Sequence, residues 1–238
     1  MLKGIDISYC QQNVDYDKVA QQFDFAIIRA GYGKVASQKD NMFEKHYAEL
    51  KKRRVKLGAY WYSYAQDATT ALQEANVFLD VIKGKTFEMP LYYDVEENSQ
   101  YKLGKERVSS IIKTFCDRVE QAGYFIGYYT NLSWYNNVID ADVKKRYALW
   151  IAHWNVSQPG ATGGIWQYAV QKVDGIGECD MDLCYIDYPA IIKEKGLNGF
   201  TKEQKSESSQ EELFNNNSSI SVEIKIEGKT YSGKLEQK

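Results

Sequence analysis

The stretch Phe25-Ala26-Ile27-Ile28-Arg29-Ala30-Gly31-Tyr32-Gly33 reads FAIIRAGYG. Its first six residues carry one charge and lack the polar–apolar alternation of a strand with one wet face. A run of this kind, ended by glycines, is a strand covered on both faces, the habit of parallel sheets flanked by helices. Working outward, similar runs recur at 57–62, 91–95, 125–129 and 148–152, with further strand-like segments at 3–8, 164–169 and 178–184. Helical patterns lie between many of them. They cover 16–22, then 41–53 with Phe43, Tyr47 and Leu50 in phase, 68–82, 105–122 up to Gly123, and 141–146. A last helix is expected at 189–195. Strands mostly followed by helices predict an α/β fold, a (β/α) TIM-like barrel if the sheet closes and a doubly wound sheet if it stays open. No GxGxxG follows the first strand and no GxxxxGK occurs, which weakens the nucleotide-binding version. The late strands lack full helices between them, so the expected barrel is irregular.

The 238 residues suffice for one large core with a small appendage. A net charge of −2 and the lack of a basic run give no case for nucleic acid. The longest apolar stretches are strand-sized, so no membrane partner is expected. Cys10, Cys116, Cys179 and Cys184 are scattered without a CxxC pair and are read as buried or bystander thiols. Cys179 and Cys184 lie five apart in a strand-like segment, point to opposite faces and are not expected to pair. His46 and His153 are far apart and no HExxH occurs, so no metal, no cofactor and no Ser-His-Asp triad is expected.

Composition changes at Gly196. Residues 1–195 form the expected barrel, 196–218 read as a polar linker, and 219–238 as a tail. Within the tail, Ser221-Val222-Glu223-Ile224-Lys225-Ile226 alternates, Glu227-Gly228-Lys229 signals a turn, and Thr230 to Leu235 returns as the second strand of a β-hairpin. A lone hairpin is marginal in water, so its apolar face is expected to need a partner: the barrel, a glycan through wall binding, or copies of itself through self-association.

The run 91–95 ends in acids: Pro90 to Asn98 reads PLYYDVEEN. Residues i and i+2 of a strand share a face about 6.6 Å apart, so Asp94 and Glu96 belong together while Glu97 takes the other side. Strand C-termini form the active rim of a barrel. Asp6 is expected at that end of the first strand, and Asp180 and Asp182 at that end of the last. First and last strands are neighbours in a closed barrel, so these carboxyls can converge. Paired carboxyls in a cleft are what glycoside hydrolysis uses, one as proton donor and another as nucleophile, base or stabiliser. Aromatic residues near strand ends, Tyr62, Tyr129, Trp150, Trp154 and Trp166 among them, can stack on sugar faces, although such rings also fill cores.

GIDIS, FAIIRAGYG, Asp40, LGAYWYSYA, PLYYDVE, GYYTN, LWIAHW, IWQY and CDMD appear in this order. Together they resemble the lysozymes of glycoside hydrolase family 25, the 1,4-β-N-acetylmuramidases of bacteria and their phages, over residues 3 to about 192. The resemblance implies an irregular (β/α) barrel that cleaves peptidoglycan between N-acetylmuramic acid and N-acetylglucosamine. It implies Glu96 as proton donor, Asp94 as the acid that orients or stabilises the reacting centre, and Asp6 as part of the acidic cleft. Asp180 matches the family's last-strand acid, with Asp182 the neighbour it could be confused with. Tyr129 is similar to a cleft tyrosine that bonds the substrate acetamido group, and Tyr62, Trp150, Trp166 and Asp182 are expected to bind substrate. Gln12, Cys10 and Cys179 depart from more usual residues, and none replaces an essential acid. No apolar signal region opens the sequence, so a phage endolysin is expected, made in the host cytoplasm and acting on the wall after holin-dependent release.

Overall fold

The structure is a computed structural model that describes residues 1–202 and, as backbone, 220–226 and 229–235. Eight strands hydrogen-bond in chain order into a closed barrel: β1 (Leu2–Ile7), β2 (Phe25–Tyr32), β3 (Lys56–Tyr62), β4 (Leu91–Asp94), β5 (Ile126–Asn131), β6 (Ala148–Ala152), β7 (Ile165–Val173) and β8 (Gly177–Cys184). Helix α1 (Tyr16–Gln22) follows β1, α2 (Phe43–Lys52) follows β2, and α3 (Ala68–Ile82) follows β3. After β4 come α4 (Asn98–Tyr101) and α5 (Lys105–Gln121), and after β5 come α6 (Leu132–Val138) and α7 (Ala141–Arg146). No helix separates β6, β7 and β8, and α8 (Tyr188–Lys195) follows β8.

Strands β1 to β7 run parallel, but β8 is antiparallel to both β7 and β1. This is the form that the expected irregularity takes. Asp174-Gly175 turns the chain: Gly175 holds φ +80°, which costs a glycine little, and the Ile176 N–H donates to Val173 O at 3.1 Å. The expectation that Asp180 and Asp182 sit at the C-terminal end of a parallel strand is therefore corrected. They reach the rim on a strand that runs down from it.

The pleat sorts the apolar residues into two cores. Ile5, Ala26, Ile28, Leu57, Trp61, Tyr93, Tyr128 and Ile151 face outward into a shell with the helices, where the Tyr93 ring stacks on Phe115 at 3.7 Å. Phe25, Ile27, Tyr92, Tyr129, Trp150, Ile165 and Cys184 fill the barrel with Tyr188 and Ile192 of α8. Gly4 is needed inside, because a Cβ there would lie 2.4 Å from the Phe25 ring. Cys179 and Cys184 fall into different cores, as their spacing suggested, and all four cysteines are free.

The linker expected from Gly196 does not start there. Gly196 ends α8 in the left-handed region, and Asn198 is then buried against the barrel. Its side chain accepts from Phe125 N–H at 2.7 Å and donates to Met89 O at 2.9 Å, while its backbone bonds Phe87 and Gly123. A polar residue used to satisfy buried backbone groups looks like a loop residue in composition. The rest of that linker, 203–218, lies outside the described residues. In the tail, β9 (Ile220–Ile226) pairs antiparallel with β10 (Lys229–Leu235), Ile226 opposite Lys229 and Ile220 opposite Leu235. Among the described residues no helix is long and apolar enough to cross a membrane.

Candidate active site

Register brings the acids together. Tyr62 of β3 lies level with Asp94 of β4, Asp94 with Tyr129 of β5, and Tyr129 with Trp150 of β6. Across the closure, Asp6 of β1 pairs with Asp180 of β8, and Gly4 with Asp182. The chain stays extended past the end of β4: Val95 N–H donates to Tyr129 O at 3.0 Å, and the Thr130 hydroxyl donates to Val95 O at 2.8 Å. That tether keeps the pleat in phase, so Glu96 follows Asp94 onto the same face.

The carboxyls are crowded. Asp6, Asp94 and Asp182 are buried, whereas Glu96 and Asp180 are partly open. Burial raises every one of them. Asp94 is pushed well above the usual carboxylate range by burial and then by the charge of Glu96, with Arg29 opposing. Burial, then Asp180 and Glu97, raise Glu96, and burial with Glu178 raises Asp180. Asp6 is raised by burial and by the charges of Asp182 and Asp180. Burial lifts Asp182 to about 8. So many acids in a low-dielectric space cannot all ionise, and protons are retained near neutral pH.

A hydrogen-bond chain orders this group. Gln167 Nε2 donates to Asp6 Oδ2 at 2.8 Å, and its Oε1 accepts from Tyr129 O–H at 3.0 Å and Trp154 Nε1–H at 3.1 Å. Trp150 Nε1–H donates to Asp182 Oδ1 at 2.8 Å. Asp94 Oδ1 is buried with no partner among the described residues.

Two cavities open here. One of about 470 Å³ is lined by Glu96, Asp180, Tyr129, Asn131, Trp154 and Gln167, among others. The other, about 570 Å³, is lined by Tyr9, Arg29, Tyr32, Asp40, Tyr62 and Tyr64 with neighbouring residues. Asp94 stands level with Tyr62 of the second and Tyr129 of the first. Arg29 is held by Asp40 at 2.7 Å and lies 4.5 Å over the Tyr9 ring. An acid pair between two aromatic-lined hollows is suited to an extended glycan with its scissile bond at the acids.

The sequence profile of glycosyl hydrolases family 25 matches residues 5–175. The chain belongs to that family. The match ends before β8, so Asp180 and Asp182 lie beyond it. The autolytic lysozyme of Clostridium acetobutylicum is 30% identical over 186 residues, covering 76% of this chain and 55% of that protein. The chain thus spans about half the length of that curated relative. Among solved structures, the CTP1L endolysin superposes with a TM-score of 0.72 at 25% identity, over 81% of this chain and 70% of that one. The modular autolysin LytC of Streptococcus pneumoniae, solved with a synthetic peptidoglycan ligand, gives a TM-score of 0.68 at 26% identity, over 77% and 46%.

In this family 25 chain, the structure gathers Asp6, Asp94, Glu96, Asp180 and Tyr129 as the sequence suggested, and sets Tyr62 in the cavity wall beside them. Asp180 opens to the cavity and Asp182 is sealed beneath, which separates the two acids that sequence left confusable. Trp150 is also sealed in, where it orders Asp182. Trp166 is not brought to the site. It faces the outer core, donating to His153 O at 2.8 Å, because Gln167 takes the inward phase of β7. Glu97 is not idle: it accepts from Ser99 N–H at the start of α4 and from Tyr62 O–H at 3.3 Å. Sequence reasoning missed Gln167 and Arg29. The period-two rule that paired Asp94 with Glu96 places Gln167 two after Ile165 on the inner face, and was the signal available.

Proposed function

We propose that this chain is a lysozyme that cleaves the β-1,4 bond between N-acetylmuramic acid and N-acetylglucosamine of peptidoglycan. The observation that carries the reading is the pairing of Glu96 with Asp94 at a cavity mouth, Glu96 partly open and held toward its protonated form by burial and by Asp180. Glu96 donates its proton to the leaving glycosidic oxygen, and the neighbouring carboxylates stabilise the cationic transition state. Tyr129 and Gln167 present polar groups to the acetamido substituent, and Trp154, 46% exposed, offers its ring to a sugar face. The likeness to an autolytic lysozyme and to an endolysin supports peptidoglycan as substrate, and the endolysin likeness supports a role in phage-induced lysis after release from the host cytoplasm. We also propose that the tail hairpin drives self-association, since Ile220, Val222, Ile224 and Ile226 alternate with polar residues in the sequence and a lone two-stranded hairpin is marginal in water.

The test is mass analysis of fragments released from purified peptidoglycan, with chitin as the comparison. Muramic acid at the new reducing end, lost in Glu96→Gln at unchanged circular dichroism, is the expected result. Near-normal release by that variant, or glucosamine at the new end, overturns the reading.

A further inference from the structure

Behind the cavity wall lies a buried carboxylate that the proposed chemistry does not use. Glu74 of α3 is sealed in the outer core, nearly two turns into its helix. Its Oε1 accepts the backbone N–H of Tyr64 at 2.9 Å, and its Oε2 accepts the Tyr93 hydroxyl at 2.6 Å. The Tyr93 oxygen in turn accepts from Ser63 Oγ at 2.6 Å. Gln100 closes the network, donating to Ser63 Oγ at 2.7 Å and Ala65 O at 2.8 Å. Glu74, Tyr93, Ser63 and Gln100 are all buried, so none of these bonds is exchanged with solvent at no cost.

The network joins three pieces of the site. Ser63 to Ala65 is the loop that follows Tyr62 and carries Tyr64, both in the wall of the 570 Å³ cavity. Tyr93 precedes Asp94, whose carbonyl accepts the Ser63 N–H at 2.9 Å. Gln100 belongs to α4, which begins directly after Glu96 and Glu97.

We propose that Glu74 is a positioning residue, whose charged carboxylate clamps the tyrosine wall of this cavity to the strand that carries Asp94. The inference rests on reading the cleft as a glycan-binding groove. Both oxygens of Glu74 accept, which only the ionised form does without turning a neighbour. A protonated Glu74 brings a donor into a ring where the Tyr64 N–H and Tyr93 O–H already point at it. Burial raises this acid to about 7, against hydrogen bonds from Tyr93, Tyr64 and Ser63 that lower it. The charged or ionisable groups facing it are Tyr93 from β4 and Lys34 from the segment after β2. The clamp is therefore set above about pH 7 and relaxed below it.

Since Tyr62 and Tyr64 wall a cavity to one side of the acids, relaxing the clamp weakens glycan binding more than chemistry. The experiment measures kcat and KM on soluble uncross-linked peptidoglycan fragments from pH 5.5 to 8.5 for the full chain, Glu74→Gln and Tyr93→Phe. Loss of one such bond corresponds to about three- to tenfold in KM. For Glu74→Gln the expected result is that rise at pH 8, kcat within about twofold, and loss of the wild-type rise in KM below pH 7. Tyr93→Phe keeps the carboxyl but removes a bond that lowers its pKa, so the rise in KM is expected at higher pH than in wild type. This second variant decides the matter if Glu74→Gln does not fold. KM values and pH profiles that match wild type in the folded variants overturn the inference. A wild-type chain that releases no reducing ends instead overturns the lysozyme reading, so the two failures are distinguishable.

Discussion

Replacing Asp182 by Asn is expected to stabilise the protein, and by an amount that depends on pH. Asp182 is fully buried, with Oδ1 held by the Trp150 indole and Oδ2 without a hydrogen-bond partner among the described residues. Burial raises it from an ordinary 3.8 to about 8. The sign follows from linkage. Between these values the unfolded chain has released the proton while the folded one retains it, so raising the pH favours unfolding. At pH 7 about three units of that interval have been crossed, which at 1.36 kcal/mol per unit is on the order of 4 kcal/mol. Asn has the same shape, keeps an oxygen for Trp150 and carries no charge to desolvate. The difference in unfolding free energy between Asp182→Asn and wild type should be small near pH 4 and grow to a few kcal/mol by pH 7. Urea unfolding followed by tryptophan fluorescence at both pH values measures it, with unchanged m-values as the check on a two-state comparison. A variant that is no more stable at pH 7 than at pH 4, relative to wild type, refutes the reasoning.

Other outcomes follow from the same geometry. Wild type itself should unfold at a higher temperature at pH 5.5 than at pH 8, since Asp6, Asp94, Glu96, Asp180 and Asp182 are all raised in the fold; scanning calorimetry checks this. Trp154→Ala should raise KM on glycan fragments by about tenfold by removing a stacking surface, whereas Trp166→Phe should cost stability and leave KM alone. A chain ending at Lys202 should stay folded, while one ending at Lys195 loses the four hydrogen bonds of Asn198 and about 3 kcal/mol or more in urea unfolding. Analytical ultracentrifugation should find the full chain larger than a monomer and the chain ending at Lys202 monomeric; equal states end the case for the tail.

Much of the barrel was legible because its strands are buried on both faces and so read as runs, FAIIRA and LGAYWY being the plainest. The pair Asp94 and Glu96 was legible from the pleat alone. The direction of β8 was not read, although Asp174-Gly175 between two strand-like runs is a hairpin signal. Trp166 misled because a large aromatic at a strand end suits a sugar platform and a core equally well, and only the phase set by Ile165 and Gln167 decides. Asn198 misled for the opposite reason, a polar residue serving a buried backbone. Glu74 could not be read, since its partners Tyr64, Tyr93 and Ser63 meet it through tertiary contacts that no spacing encodes.

The seam between β1 and β8 joins Asp6 to Asp180, residues from opposite ends of the barrel's chain. While the protein is being made, Asp94 and Glu96 leave the ribosome long before β8 does. Until β8 emerges, β1 and β7 are open edges, and Asp6 lacks the Asp180 and Asp182 charges that β8 brings beside it. A half-finished chain therefore carries Glu96 without Gln167 and Asp180, which line the 470 Å³ cavity with it. Closing the ring needs the chain through Cys184, whose partner across the seam is Leu2.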